Sequence, residues 1–305
     1  MRHVVEESTP ASIFISPEAK TKLEAWHERF RKKLGIPTDS VRISTRLGPT
    51  HVLCCGPPDA PPLVCLHGAM GSSAHILAGA TTLAKNFRLI APDVPGQSPM
   101  SAETRPGING QGYPEWLADV FDALQLEQTY LLGASWGGVI ALRGAARIPE
   151  RIGKISLLVP AGLIQGSLIQ AFFRVGWPLM RYRSSPSAER RERFLRYLIT
   201  THDQDWEAYL GDAALAFKPH LERLALLKSD DLKTITAPVQ LIAAEGDVQF
   251  PGAKLIARAL RVVPNLKDTA LIPHSRHVPP FTPEFYAWLS DRIVQFLSDT
   301  RPEAG

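Results

Sequence analysis

At 305 residues the chain is long enough for one large domain, or for one domain carrying an insertion. Hydrophobic residues make up 45% and charged residues 21%, ordinary proportions for a globular protein in water, and no apolar run approaches the ~20 residues of a membrane-spanning helix. The net charge of +4 is mild and much of it falls between Arg181 and Arg196, where RRER at 190–193 is followed by Phe194, Leu195, Tyr197 and Leu198 at helical spacing; this reads as the solvated face of an amphipathic helix, so no nucleic-acid partner is expected.

In chain order, the opening MRHVVEESTP is too polar for a signal peptide, so a cytoplasmic location is expected. Residues 17–34 read as an amphipathic helix with Leu23, Trp26, Phe30 and Leu34 on one side. Residues 41–55 read as two strands around a Gly48-Pro49 turn. Cys54, Cys55 and Cys65 have neither a disulfide framework nor zinc-ligand spacing, and read as small apolar strand residues in a reducing compartment. Further short apolar runs lie at 63–66, 87–91, 130–132, 155–159, 239–243 and 270–272, most of them separated by helical patterns at 72–85, 114–124, 137–147 and 252–262. A last helix covers 284–298. Continuous apolar strands alternating with helices imply a parallel sheet covered on both faces. The alternation stops between 163 and 232, a span of helical pattern punctuated by Trp177-Pro178, Ser185-Pro186 and Lys218-Pro219. The expected organisation is therefore a core of residues 1–162 and 233–305 with a helical cap, 163–232, inserted over the C-terminal edge of the sheet.

The most informative stretch is Gly133-Ala134-Ser135-Trp136-Gly137-Gly138, a G-x-S-x-G element after an apolar run and before a helical pattern. Such an element turns a strand into a helix within a few residues and presents the serine hydroxyl on a strained backbone. Glycines at either end let the arms approach closely, and the helix N-terminus favours developing negative charge.

A serine hydroxyl is a weak nucleophile and needs a base, which in turn needs an orienting group. In this architecture they follow in chain order as acid, then histidine. Asp247 lies just beyond the apolar run 239–243, with Glu245 as a rival. His277 follows the run ending at Ile272, with His274 as a competitor. His-x-x-His alone completes no metal site, and none is expected. For the oxyanion, one N–H would come from Trp136, after the nucleophile, and a second from the loop His67-Gly68-Ala69-Met70-Gly71, with Ala69 chosen and Met70 second. His67 reads as a structural hydrogen-bonder.

Taken as a set, HGAMGSS at 67–73, PDVPGQSP at 92–99, GASWGG at 133–138, EGD at 245–247 and the late His277 resemble the α/β-hydrolase superfamily. The segment VRISTRLGPTHVLCCGPPDAPPLVCLHGAMGSS is similar to the bacterial carboxylesterases of the naproxen-esterase type. The resemblance implies an α/β-hydrolase fold with a mostly parallel sheet of about eight strands, a Ser135–Asp247–His277 triad, and hydrolysis of carboxylic esters without a cofactor. Three positions depart from the common pattern. Gln97 stands where relatives often have glycine or arginine, Arg276 stands where many have glycine before the histidine, and Pro279, Pro280 and Phe281 fill a stretch that often holds an acid.

Serine at the elbow argues against epoxide and haloalkane hydrolysis, which need a carboxylate nucleophile there. Lactone, thioester or carbon–carbon bond hydrolysis stays open, as does a ligand-sensing protein with little turnover. The expected substrate is a small to medium, largely apolar ester, and the expected assembly a monomer or homodimer. Candidate pocket residues are Met70, Phe172, Phe173, Trp177 and Val248; Met180, Trp206, Tyr209 and Phe217 could line it too, or pack within the cap.

Overall fold

The computed structural model describes residues 12–220 and 222–299, so the polar opening stretch lies outside the described residues. The chain runs α1 (Pro17–Lys33), β1 (Asp39–Thr45), β2 (Gly48–Cys55), β3 (Pro62–Leu66), α2 (Ser73–Ala78), β4 (Arg88–Pro92), α3 (Gly112–Ala123), β5 (Thr129–Ala134), α4 (Trp136–Arg147) and β6 (Ile152–Leu158). It continues through α5 (Leu168–Ala171), a π-helical turn (Phe172–Gly176), α6 (Trp177–Ser184), α7 (Ala188–Leu195), α8 (Gln204–Ala216) and α9 (Ser229–Leu232). The last elements are β7 (Val239–Ala244), α10 (Gly252–Val262), β8 (Leu266–Ile272) and α11 (Pro283–Ser298).

The eight strands form one sheet in the order β1-β2-β4-β3-β5-β6-β7-β8. The β1–β2 and β2–β4 pairs are antiparallel, and all the others are parallel. Alternate side chains enter opposite cores, which is why the strand sequences read as unbroken apolar runs. Val52, Cys54, Val64, Leu66, Leu131 and Leu241 pack with Trp116 and Phe121 of α3, Val139 of α4 and Leu255 of α10. Leu53, Cys55, Leu63, Cys65, Leu132 and Ile242 pack with Leu23 and Phe30 of α1, Leu77 of α2 and Ile293 of α11. Cys54 and Cys55 thus belong to different cores, and all three cysteines are free and buried.

Two local expectations are corrected. The β1–β2 turn sits at Arg46-Leu47, and Gly48 (φ +102) opens β2 rather than forming the turn. The helix expected over 72–85 stops at Ala78, with Gly79 as its cap, and a 3-10 turn covers Thr81–Lys85.

Between β6 and β7 the described residues add no strand to the sheet. Their helices have a small core of their own, with Tyr182, Phe194, Leu195, Ile199 and Ala214. Among the described residues no helix is long and apolar enough to cross a membrane.

Candidate active site

Because β3, β5, β6, β7 and β8 are parallel, the loops after them emerge at one edge of the sheet, where open α/β sheets bind ligands. Ser135 follows β5 and caps α4 with φ 50 and ψ −112. That is strained backbone for a residue with a Cβ, and it is held from three sides. The Ser135 N–H donates to Leu158 O at 2.9 Å, and Ser135 O accepts Ala161 N–H at 2.9 Å and Gly138 N–H at 3.0 Å. The flanking glycines are required by close approach. A Cβ at Gly137 would sit 2.0 Å from Leu66 O, and one at Gly133 would sit 2.7 Å from Gly137 O.

Ser135 Oγ lies 2.9 Å from His277 Nε2, and His277 Nδ1 lies 2.7 Å from Asp247 Oδ2. The Asp247 side chain is fully buried and that of His277 is 13% exposed. Asp247 Oδ1 accepts the Gln249 and Phe250 N–H groups at 2.7 and 3.0 Å, which fixes the carboxylate plane. Burial pushes the Asp247 carboxyl up, but the His277 imidazole beside it and the two backbone donors outweigh this and hold it below its ordinary value. Ionised Asp247 accepts a hydrogen bond from the His277 Nδ1–H, which leaves Nε2 as the lone-pair nitrogen facing the hydroxyl.

The rivals are elsewhere. The His274 side chain is 96% exposed, and its backbone N–H and Nδ1 face Glu245 Oε2 at 2.7 and 3.8 Å. Arg276, the departure from the expected glycine, ties the histidine loop to the segment before α8. Its N–H donates to Thr200 Oγ1 at 2.9 Å and its Nη1 to Ile199 O at 2.8 Å. His67 is structural: Nε2 accepts Val94 N–H at 2.9 Å while Nδ1 donates to Gly68 O at 2.8 Å.

A family model described as the alpha/beta hydrolase family matches residues 63–287, well over half of the sequence. The chain belongs to the alpha/beta hydrolase family. It is 27% identical over 296 residues to an uncharacterized carboxylesterase, nap, of Bacillus subtilis, covering 92% of this chain and 95% of that protein. It is also 27% identical over 274 residues to the Bacillus subtilis carboxylesterase YbfK, covering 86% of this chain and 88% of the relative. The crystal structure of naproxen esterase (carboxylesterase NP) from Bacillus subtilis matches with a TM-score of 0.78 at 24% identity, over 92% of this chain and 99% of that one. At that identity the structural likeness speaks for the fold.

In this alpha/beta hydrolase, a cavity of about 390 Å³ is lined by Ser135, Trp136, Ala69 and Met70 at one end. The loop after β3 approaches Ser135 closely, since a Cβ at Gly68 would lie 3.5 Å from Ser135 Cβ. Met70 adopts φ 57. Its N–H points to Gln97 Oε1 at 3.4 Å, and its carbonyl accepts the Tyr209 hydroxyl. Gln97, buried in the cavity wall, therefore occupies the Met70 amide, while the Ala69 N–H has no hydrogen-bond partner among the described residues.

Four of the five candidate pocket residues do not line this cavity. Phe172, Phe173 and Trp177 are 46%, 66% and 48% exposed, with the Phe172 ring edge-on to Phe173 and tilted against Trp177. Val248 is buried beneath the Gly166 loop, where a Cβ on Gly166 would meet its carbonyl at 2.4 Å. Met180 is exposed as well, and Trp206 and Tyr209 pack with Phe30 and His75. Helical periodicity showed that the aromatics share a helix but not which side of it meets the sheet. Met70 and Phe217 do line the cavity, and so do Ile108, Ile164, Leu224, Leu226 and Phe250, with Arg105 and Arg183 among them. The sequence reading did not find these, because no local motif marks them.

Proposed function

We propose that the chain hydrolyses carboxylic esters through an acyl-enzyme on Ser135. The observation that carries the reading is the hydrogen-bonded Ser135–His277–Asp247 array on a strained elbow, opening into a cavity. The carboxylesterase names of the two relatives support it.

His277 Nε2 takes the Ser135 proton as Oγ attacks the ester carbonyl. Negative charge then develops on the carbonyl oxygen between the Ala69 and Trp136 N–H groups, each such donor being worth about 3–4 kcal/mol in comparable enzymes. The imidazolium beside ionised Asp247 returns its proton to the leaving alcohol. A water molecule, deprotonated by the same nitrogen, releases the acid and restores Ser135.

The reading includes residues 163–232 as a cap. It is supported by Arg183, Phe217, Leu224 and Leu226, which come from that span and wall the Ser135 cavity. It also takes the substrate to be a small to medium ester with an apolar body, in keeping with Ile108, Ile164, Leu224 and Phe250 in the cavity lining. A cytoplasmic setting is proposed alongside, supported by three unpaired buried cysteines.

The test is a fluorophosphonate probe together with p-nitrophenyl acetate turnover. Wild-type protein should be labelled on Ser135 and should turn over, and Ser135→Ala should do neither. An unlabelled wild-type serine with no turnover of esters, lactones or thioesters would end the proposal.

A further inference from the structure

The cavity beside Ser135 is unusual in what its polar wall lacks. Arg105 and Arg183 both line it, both are half-buried, and neither has an acidic partner among the described residues. Their bonds go to backbone carbonyls. Arg105 Nε donates to Gly96 O at 2.8 Å, with a weak 3.5 Å contact from Nη1 to Lys218 O. Arg183 Nε donates to Ala214 O at 2.7 Å and Nη2 to Phe217 O at 2.9 Å. These bonds hold the two guanidinium planes in place, while Arg105 Nη2 and Arg183 Nη1 have no hydrogen bond among the described residues. Neither nitrogen is a sealed, unpaired atom, so both are open to the cavity or to solvent.

Lys218 and Arg223 line the same wall. Among the described residues Glu222 is the single carboxylate there, and it is already engaged: it accepts Ile108 N–H at 2.9 Å and faces His220 Nε2 at 3.9 Å. Burial pulls both guanidinium groups below their ordinary value. For Arg183 nothing opposes this, and for Arg105 only the Tyr113 hydroxyl does. A cation partly removed from water without a counter-ion is a place where a ligand anion gains most. The planar guanidinium fork matches a carboxylate in particular.

We propose that the Ser135 cavity selects esters bearing a free carboxylate, held by Arg105 and Arg183 while the ester carbonyl lies at Ser135. The inference deepens the ester-hydrolase reading and rests on it for the position of the reacting bond. Ile108, Ile164, Leu224 and Phe250 line the same cavity and suit an apolar spacer between the two polar ends.

The experiment compares matched substrates within each protein preparation. Mono-p-nitrophenyl glutarate is set against p-nitrophenyl hexanoate, which puts the carboxylate on the acyl side. The alcohol-side pair is p-acetoxybenzoate against p-cresyl acetate. The quantity read is the ratio of kcat/KM, anionic over neutral. A ratio cancels any loss of folded protein and any intrinsic difference in reactivity between substrates when variants are compared. In at least one pair the ratio should fall about tenfold or more in Arg105→Gln and in Arg183→Gln, the loss of a charge-assisted hydrogen bond. It should recover in part in Arg183→Lys, and it should drop with added salt in the wild type.

Ratios that stay the same in wild type and variants for both pairs would overturn the inference. So would a fall in which neutral and anionic esters lose equally, since that is what a merely structural arginine gives. Should Ser135 fail to react with a fluorophosphonate at all, the hydrolase reading falls, yet calorimetry on Ser135→Ala with monomethyl glutarate still decides this one. Binding weakened by Arg105→Gln and Arg183→Gln supports the anion site, and no binding refutes it.

Discussion

Among the described residues, two Ser–His–Asp arrays have nearly identical local geometry. In one, His277 joins Asp247 at 2.7 Å and Ser135 at 2.9 Å. In the other, His51 Nδ1 joins Asp93 Oδ2 at 2.6 Å and His51 Nε2 joins Ser40 Oγ at 2.8 Å. Distances alone do not tell them apart, but their surroundings do. Ser135 sits on strained backbone at a helix N-terminus and lines a cavity with two amides beside it. Ser40 is an exposed residue on the edge strand β1 and lines none of that cavity. Asp93, fully buried, is also saturated: it accepts Ser73 N–H, Ser73 Oγ–H and Ser98 Oγ–H at 2.8, 2.6 and 2.6 Å. The surroundings of the first array fit the proposed reaction, while the second ties β2, the end of β4 and the start of α2 together. The lesson is that a triad is made by what surrounds the serine as much as by the three side chains.

The largest effect that separates the two arrays is loss of the nucleophile. Ser135→Ala should lower kcat by on the order of 10⁶, the size seen when the nucleophile of a serine protease is removed. A residual rate within a hundredfold of wild type would move the reaction away from Ser135. The next contrast is between the acids. Asp247→Asn should cost about 10⁴ in kcat through the wrong imidazole tautomer, with the fold retained. Asp93→Asn should act on stability instead, by about 3–5 kcal/mol in urea unfolding, because several buried donors then face a neutral amide. Reversed outcomes for the two substitutions would exchange the roles assigned to the arrays.

The sequence made the reactive array readable and hid the structural one, for physical reasons. G-x-S-x-G is a local signal, since the close approaches at Gly133 and Gly137 leave no room for a Cβ. Asp247 and His277 follow strands whose apolar runs stand out. The strands themselves were legible because both faces are buried, as Leu131 and Leu132 show by entering opposite cores. Asp93 falls within PDVPGQSP at 92–99, but His51 is 42 positions away and no spacing links the two, so only the β2–β4 pairing brings them together. The cavity wall failed in the same way. Arg105 and Arg183 both reach its wall through tertiary folding alone, whereas Phe172 and Phe173 of the π-helical turn and Trp177 of α6 advertised a pocket they do not line.

The non-reactive array also predicts how the fold responds to acid. His27 and His75 both contact Ser72 Oγ, at 3.1 and 2.6 Å, and the ring centroids of His27 and His51 are 5.3 Å apart. Burial lowers His27, His67 and His75 from the ordinary value of 6.5, His75 most strongly. For a base of this kind the unfolded chain takes up the proton first. Stability is therefore complete above pH 6.5 and is lost progressively as the pH falls below it. Asp93 and Asp247 add a second loss, which begins only below their ordinary value of 3.8. The midpoint of thermal unfolding should therefore decline in two stages, and a midpoint that holds constant down to about pH 5 would contradict the neutral, buried histidines.

The smallest expected effect is the most discriminating for the comparison, because Ser40→Ala removes the hydroxyl of the second array. His51 Nδ1 donates to Asp93, so Nε2 is the acceptor of the Ser40 proton. A typical hydrogen bond is worth about 0.5–1.5 kcal/mol net, and more is lost only when a buried partner is left unsatisfied. Ser40 is exposed, so a water can take the place of its hydroxyl and the loss should lie near the lower end of that range. Turnover and fluorophosphonate labelling should match the wild type within about twofold, since Asp93 and the loop it anchors keep their other bonds. If Ser40→Ala instead slowed turnover tenfold at unchanged stability, the environment of a serine would no longer explain which array reacts, and the distinction drawn between the two regions would fail.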